Sequence, residues 1–469
     1  MKRLLALWVL LAGSAATGVA ADTRPNILVL FTDDQRADTI GALGNPVIQT
    51  PNLDRLVHRG LAFTRAYMQG GFNGATCVPS RAMLLSGRSL FHVDESLMRG
   101  VTWPEAFGKA GYTTFLSGKW HNGTRSLPKS FQLARGVFTG GMTDPMKAKL
   151  GDLENGQLTP AKLSPKHACQ AFADETVRFL QEHKDGPFFV YVPFDGPHDP
   201  HIVPDDFPVH YDPATIPLPS NFLPLHPFNN GEMTIRDERL LPWPRPPEQV
   251  RAQIADYYRY ISYLDQLIGQ VLDALETSPF AKNTVVVFAS DSGVARGSHG
   301  LIGKQNLYEH SVRVPLIVSG PGIPVDRKTD AMCYLFDVLP TLGSLCDVPA
   351  PEGSDGQDLK PVLQDPTHAG RPNLGFAYKE VQRAIRDDRW KLIRYPKVDV
   401  TQLFDLVADP FETRDLAHDP AYSETVRKMT AKLATELKRA DDKAQLTVSN
   451  PEPAAITADQ LNGKGNPSR

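Results

Sequence analysis

The sequence predicts an α/β protein: a large, mostly parallel sheet flanked by helices, followed by a smaller α+β C-terminal subdomain containing an antiparallel sheet. Three observations predict it. Segments 27–31, 112–116, 188–192 and 285–290 each run apolar and then stop at polar residues, respectively Asp33 and Asp34, Ser117 to Lys119, Asp195 to His198, and Asp291. Runs that are continuous rather than alternating suit strands buried on both faces. Between them lie helical periodicities, clearest over 248–275, where Val250, Ile254, Tyr257, Ile261, Leu264, Ile268, Val271 and Leu275 recur at three- and four-residue steps. Strands alternating with helices make a parallel sheet. Near Asn373 the composition shifts, and segments 383–386 and 390–393 read as the two arms of a hairpin around Asp387 to Arg389.

Taken in order, Lys2 and Arg3, the apolar residues 4–11 and the small residues up to Ala21 have the pattern of a secretory signal peptide over 1–21. Its apolar run is too short to span a bilayer, so the expectation is an exported chain, periplasmic or secreted, without stable membrane insertion. Leu53, Leu56 and Val57 form a short helix running up to Gly60, read as its C′ residue. The glycine-rich run from Gly70 to Gly74 leads into Thr76-Cys77-Val78-Pro79-Ser80-Arg81. The helix formers Ala82 to Leu85 follow, ending at Ser86-Gly87-Arg88. Ala168, Phe172, Thr176 and Leu180 share one helix face. Residues 197–247 are crowded with prolines and lack periodicity, which suits either a specificity loop or an inert surface insertion. After the hairpin, 401–406 adds a strand, and Val426, Met429, Leu433 and Leu437 mark a helix face. The organisation is therefore a main unit over 22–372, a subdomain over 373–449, and a polar stretch over 450–469 expected to be a loose tail or a partner-clasping arm.

The net charge of −3 and the absence of a basic stripe argue against a nucleic-acid partner. The 4 cysteines are too few for a disulfide scaffold and none has zinc-site spacing; Cys333 and Cys346 are the nearest pair for a disulfide.

In parallel sheets ligands bind beyond the carboxyl ends of strands, so the polar residues after the four runs are expected at one edge. Asp33, Asp34 and Asp291 gathered there repel one another unless a cation sits among them, and hard oxygen donors favour Ca²⁺ or Mg²⁺. Arg81, Lys119, His121, His198 and Lys304 supply cationic or protonatable groups on the same edge, a set suited to an anionic, tetrahedral substrate. Lys304 ends the glycine-rich loop Ser298-His299-Gly300-Leu301-Ile302-Gly303, whose backbone is expected to approach a ligand closely. Lys119, His198, His201 and Lys304 are the expected substrate-binding residues. Cys77, at a helix entrance, faces unpaired N–H groups and the positive end of the helix dipole.

The motif Cys77-Val78-Pro79-Ser80-Arg81, with the apolar helix closing on Ser86-Gly87-Arg88, resembles the signature of the type I sulfatases of the alkaline phosphatase superfamily, whose cysteine is oxidised to formylglycine. Asp33-Asp34-Gln35-Arg36, Gly118-Lys119-Trp120-His121, Pro197-His198-Asp199-Pro200, Ser290-Asp291-Ser292-Gly293 and His299-Gly300 with Lys304 follow in that family's order. Phe404-Asp405-Leu406 with Asp409-Pro410, Glu412 and Asp415-Leu416-Ala417 resembles its C-terminal part. The resemblance implies an alkaline phosphatase-like fold and a sulfuric ester hydrolase releasing inorganic sulfate from a sulfated small molecule or glycan. It implies one Ca²⁺ held by Asp33, Asp34, Asp291 and the modified residue 77, and a maturase that makes formylglycine from Cys77. The hydrated aldehyde would attack sulfur to give a covalent sulfoenzyme, with Lys119 and Lys304 on the sulfate oxygens and Arg81 holding the diol and metal. His198 would protonate the leaving alcohol, and His121 would take the second hydroxyl's proton as sulfate departs. Ser292 stands where the family usually places Asn or His, which weakens the fourth protein ligand. The alternatives are a phosphate mono- or diesterase of the same superfamily and a non-catalytic sulfated-glycan binding protein.

Overall fold

The computed structural model describes residues 24–463; the signal-peptide reading of 1–21 lies outside them. Five adjacent strands form the centre of the large sheet, in the order Thr284–Ser290, Asn26–Thr32, Phe188–Pro193, Thr113–Leu116, Leu133–Val137, all parallel. Four of them are the four apolar runs. Toward one margin Arg313–Ser319 and Gly60–Tyr67 add antiparallel pairings, and toward the other Lys149–Glu154 does so, making the sheet mixed overall. The strands Asn26–Thr32, Phe188–Pro193 and Thr284–Ser290 are buried throughout, as continuous apolar runs require. Alternate residues serve two cores: Ile27, Val29 and Phe31 face Met83, Trp103 and Tyr191, while Leu28 and Leu30 face the helices Ala168–Glu182 and Pro247–Glu276. The register pairs Thr32 with Ser290 and Phe31 with Pro193, which brings the residues that follow these strands level with one another.

Gly60 stands at C′ of the helix Pro51–His58, directly after its cap residue Arg59, but it does not take the left-handed conformation and it also opens the strand Gly60–Tyr67. A Cβ there would stand 2.3 Å from the Val318 carbonyl oxygen, so the glycine serves close strand packing.

The second sheet runs Val400–Asp405, Trp390–Tyr395, Gln382–Arg386, Leu374–Tyr378, with antiparallel neighbours, and the helix Ser423–Arg439 covers it through Met429, Leu433 and Leu437. Its fifth strand is Gly70–Gly71, which pairs in parallel with Leu374–Tyr378. The loop leading to Cys77 is thus stitched into the second sheet. Gly70 has φ +119°, and a Cβ there would lie 1.9 Å from the Ala377 carbonyl oxygen. Gly70→Ala is therefore expected to destabilise the protein by about 2–4 kcal/mol, through both the backbone conformation and the clash, and to appear as a lowered Tm in thermal unfolding.

The chain beyond Asn450, expected to be a loose tail or an arm for a partner, instead lies on its own body as far as Gly463. Glu452 N–H donates to the Lys397 carbonyl at 2.7 Å, Asn229 N–H to the Ala454 carbonyl at 2.8 Å, and Asn462 Nδ2 to the Trp243 carbonyl at 2.6 Å. The physical reason is the apolar series Ala454, Ile456, Ala458 and Leu461, which packs against the main core despite the polar composition around it. All four cysteines are buried, and Cys333 and Cys346 are not joined in a disulfide. No helix among the described residues is long and apolar enough to cross a membrane.

Candidate active site

The paired strand ends place the acids. Asp291 N–H donates to the Thr32 carbonyl at 3.1 Å, Asp33 N–H to the Gly196 carbonyl at 2.9 Å, and Asp34 N–H to Asp291 Oδ1 at 3.0 Å. Asp34 adopts φ +67°, a left-handed conformation that Asp tolerates better than most residues, and its carbonyl accepts a 2.6 Å hydrogen bond from the Tyr257 hydroxyl. Lys119 Nζ and Arg81 Nη2 donate to Asp33 Oδ2 at 2.5 and 2.9 Å, Arg81 Nε donates to Asp291 Oδ2 at 3.0 Å, and Lys304 Nζ lies 2.7 and 2.8 Å from the two oxygens of Asp34. Asp33 Oδ1 is buried with no hydrogen-bond partner among the described residues. Ligand atoms of Asp33, Cys77 and Asp291 lie within 4.8 Å of one another, as do those of Asp33, Asp34 and His198. Three carboxylates with an orphaned oxygen, and no pair of thiolates or histidines, fit a hard cation.

Burial opposes charge on Asp33, yet Lys119 and Arg81 hold its carboxyl far below the usual range. Asp291 is pushed up to about 6 by burial and then by the Asp33 charge.

Cys77 is the first residue of the helix Cys77–Ser86, which closes on Gly87 at φ +68°. Its Sγ lies 3.2 Å from His121 Nδ1. Burial pushes the thiol up to about 11 against the pull of Lys119 and Lys304, so it is a thiol at neutral pH and a poor nucleophile. Burial and then Lys119 lower His121 to about 3, which leaves its imidazole neutral. Gly141 leaves room for that ring: a Cβ there would be 3.0 Å from His121 Nε2. His198 donates from Nδ1 to the Asp199 carbonyl at 2.8 Å, which turns Nε2 toward Asp34 Oδ2, 3.7 Å away.

Cys77, Arg81, Lys119, His121, His198, Lys304, Asp33, Asp34 and Asp291 are thus brought to one place. Two further residues stand differently. The Ser292 hydroxyl donates to Asp34 Oδ1 at 2.7 Å, and its oxygen keeps its lone pairs. His201 Nε2 accepts from Arg296 Nη2 at 2.8 Å while its ring packs on Tyr257, and burial together with the Arg296 charge holds it well below its usual pKa. Its imidazole is neutral there. The glycine-rich loop before Lys304 approaches protein, not ligand: a Cβ on Gly300 would be 2.4 Å from His226 N.

Residues 197–247 are no inert insertion, since Ile216, Phe228, Met233, Leu241 and Trp243 are buried in the cores. They also deliver Arg236 and Asp237 to the site, which sequence reasoning missed because an aperiodic loop gives no face to read. Arg236 Nη1 donates to Asp199 Oδ1 at 2.9 Å and Asp237 Oδ1 at 3.0 Å. Gln35 was also missed, although it stands inside Asp33-Asp34-Gln35-Arg36: its side-chain amide is fully buried with neither atom hydrogen-bonded among the described residues.

The sulfatase family model matches residues 25–348, and the model for the C-terminal part of N-sulphoglucosamine sulphohydrolase matches 297–439. An ulvan-active sulfatase from Formosa agariphila is 27% identical over 454 residues, covering 90% of this chain and 82% of the relative. A protein solved in complex with its substrate, D-glucosamine-2-N,6-O-disulfate, has a TM-score of 0.74 at 22% identity, covering 90% of this chain and 99% of the other. The phosphonate monoester hydrolase of Agrobacterium radiobacter has a TM-score of 0.71 at 22% identity, covering 89% and 96%, and at such identity both structures speak for the fold alone. A family match that runs from the first central strand past the last site residue, on a chain with this fold, makes the protein a member of the sulfatase family and a sulfuric ester hydrolase.

Proposed function

We propose that the protein releases inorganic sulfate from a sulfated carbohydrate, using a formylglycine made from Cys77 by a maturase and one Ca²⁺. The observation that carries this reading is Cys77 itself, an unactivated thiol set 3.2 Å from a neutral imidazole and within ligand distance of Asp33 and Asp291. Names of relatives support the substrate class: ulvan for one, a disulfated glucosamine for another. We read 1–21 as the export signal, 22–372 as the catalytic unit, 373–449 as the C-terminal subdomain and 450–469 as a terminal segment.

Asp33, Asp34 and Asp291 would hold the ion, which when bound neutralises charge on the sulfuryl group, and the aldehyde at residue 77 supplies, once hydrated, the oxygen nucleophile. Lys119 and Lys304 present ammonium groups to the sulfate oxygens from opposite acids, Asp33 and Asp34. Arg81 clamps Asp33 and Asp291 together, fixing the carboxylate geometry. His121 Nδ1 faces residue 77 and accepts a proton from it; His198 Nε2, with Nδ1 tied to the Asp199 carbonyl, delivers a proton to the departing alcohol.

His198→Ala is expected to lower kcat by about 10²- to 10⁴-fold on sugar sulfates, whose alcohols leave poorly, and much less on 4-nitrophenyl sulfate. A plot of rate against leaving-group pKa measures this, and equal losses across the series would remove His198 from the acid role. The shared fold with a phosphonate monoester hydrolase favours a second reading, phosphoryl or phosphonyl transfer at the same groups. Comparing 4-nitrophenyl sulfate, phosphate and phenylphosphonate esters decides between them, with the sulfate expected to be fastest.

A further inference from the structure

Lys304 lies in neither a strand nor a helix, and the chain on each side of it is held by distant groups. Before it, the N–H groups of Ile302 and Gly303 donate to the buried Glu238 carboxylate, at 2.8 Å for Gly303. After it, side chains from residues 382–412 take over. Leu307 N–H donates to Gln382 Oε1 at 3.2 Å, the Tyr308 hydroxyl to Gln402 Oε1 at 2.7 Å, and Glu309 N–H to Glu412 Oε2 at 2.8 Å. Between these anchors the Lys304 N–H has one hydrogen-bond partner among the described residues, the side chain of its own neighbour: it donates to Gln305 Oε1 at 3.0 Å. The nitrogen end of that amide is committed as well. Gln305 Nε2 donates to the Gly74 carbonyl at 3.0 Å, in the loop that leads to Cys77, and to Asp237 Oδ2 at 2.7 Å. One buried amide therefore uses both of its donors and its acceptor to join three segments. Gly303 leaves room for it: a Cβ there would stand 2.5 Å from Gln305 Oε1.

We infer that Gln305 is a positioning residue: its amide fixes the Lys304 peptide, and with it the ammonium that the side chain carries, against the loop that sets residue 77. The inference rests on the proposed sulfatase reading, in which Lys304 meets a sulfate oxygen and residue 77 carries the nucleophile, and it adds a residue that acts through both. Only an amide of this length serves. A methionine would leave the buried Lys304 N–H without an acceptor, and a glutamate would turn an oxygen toward the Gly74 carbonyl and the Asp237 carboxylate. The demand on precision is high, because a misplacement of about 1 Å at reacting groups costs about 10²-fold in rate.

The test uses full-length, calcium-loaded protein carrying formylglycine. Calorimetry gives its Kd for inorganic sulfate, and hydrolysis of 4-nitrophenyl sulfate gives kcat/KM. Gln305→Met is expected to weaken sulfate binding by about ten-fold and to lower kcat/KM by about 10²-fold. In a Lys304→Ala background the same substitution is expected to change Kd by less than about two-fold, because the group it positions is gone. Gln305→Glu is expected to weaken sulfate as much as Gln305→Met does. Adding Asp237→Asn to it puts a donor opposite the new carboxylate and is expected to bring Kd back to within about three-fold of wild type. Because Kd does not depend on the fraction of protein that is folded, partial misfolding does not imitate these results. Unweakened sulfate binding by Gln305→Met, the same loss repeated without Lys304, or no recovery on adding Asp237→Asn overturns the inference. If the wild-type protein binds sulfate but hydrolyses no aryl sulfate, the sulfatase reading has failed, and the sulfate affinities still decide the role of Gln305.

Discussion

Cys77→Ala is expected to remain folded and to lose sulfate-ester turnover by about 10⁵-fold or more, the scale of losing a nucleophile that acts as part of a unit. The substitution removes one buried sulfur atom beside His121 and costs stability of only about 1 kcal/mol, so Tm should fall by a few degrees at most. The thiol is not activated: burial raises it to about 11 even with two lysines nearby. The proposed mechanism therefore requires another group at residue 77. Mass spectrometry of the peptide spanning residue 77 in the active enzyme separates aldehyde from thiol, and the fraction of aldehyde should scale with kcat across preparations. Full turnover by protein carrying only thiol, or by the alanine variant, would falsify the proposed mechanism.

The second large effect is at Asp33. Its Oδ2 neutralises Lys119 and Arg81 while Oδ1 has no hydrogen-bond partner among the described residues, so Asp33→Asn removes a charge from two buried cations and a donor oxygen from the cation site. Turnover is expected to fall by about 10³-fold or more. The sharper readout is binding. Wild-type protein freed of metal by a chelator should gain Tm when Ca²⁺ is restored, by an amount equivalent to about 2.7 kcal/mol at a hundred times Kd, and the variant should gain almost none. A calcium-dependent Tm that survives in Asp33→Asn would place the ion elsewhere.

The central strands were legible because burial on both faces leaves a purely local signature, an unbroken apolar run in 27–31 or 285–290. Their termination in acids was legible for the same reason: the run stops where the site begins. What escaped was whatever a distant backbone decides. Gly60 looks like a helix terminator in its own neighbourhood, but its role is set by the Val318 carbonyl. Gly70 and Gly71 have no strand propensity, and become a strand only because Ala377 and Tyr378 lie beside them. Ser292 follows Asp291 in the chain, while the direction of its hydroxyl, toward Asp34 Oδ1, is set by the neighbouring strand end. Ala454, Ile456, Ala458 and Leu461 are spaced through a polar stretch, too sparse to announce that the segment returns to the core. Arg236 comes from a loop whose path follows from its buried aromatic and aliphatic anchors rather than from any period.

The pairing of Gly70 with Ala377 bears on timing as well as on architecture. A chain made from its N-terminus forms the residues around Cys77 early, but their strand partner only near the end of synthesis. Until then the loop before the helix Cys77–Ser86 lacks its final anchor. Once the second sheet closes, the side chain is sealed inside the finished protein. If residue 77 is modified as proposed, the modification has to precede closure of the second sheet, because Cys77 is buried in the folded chain.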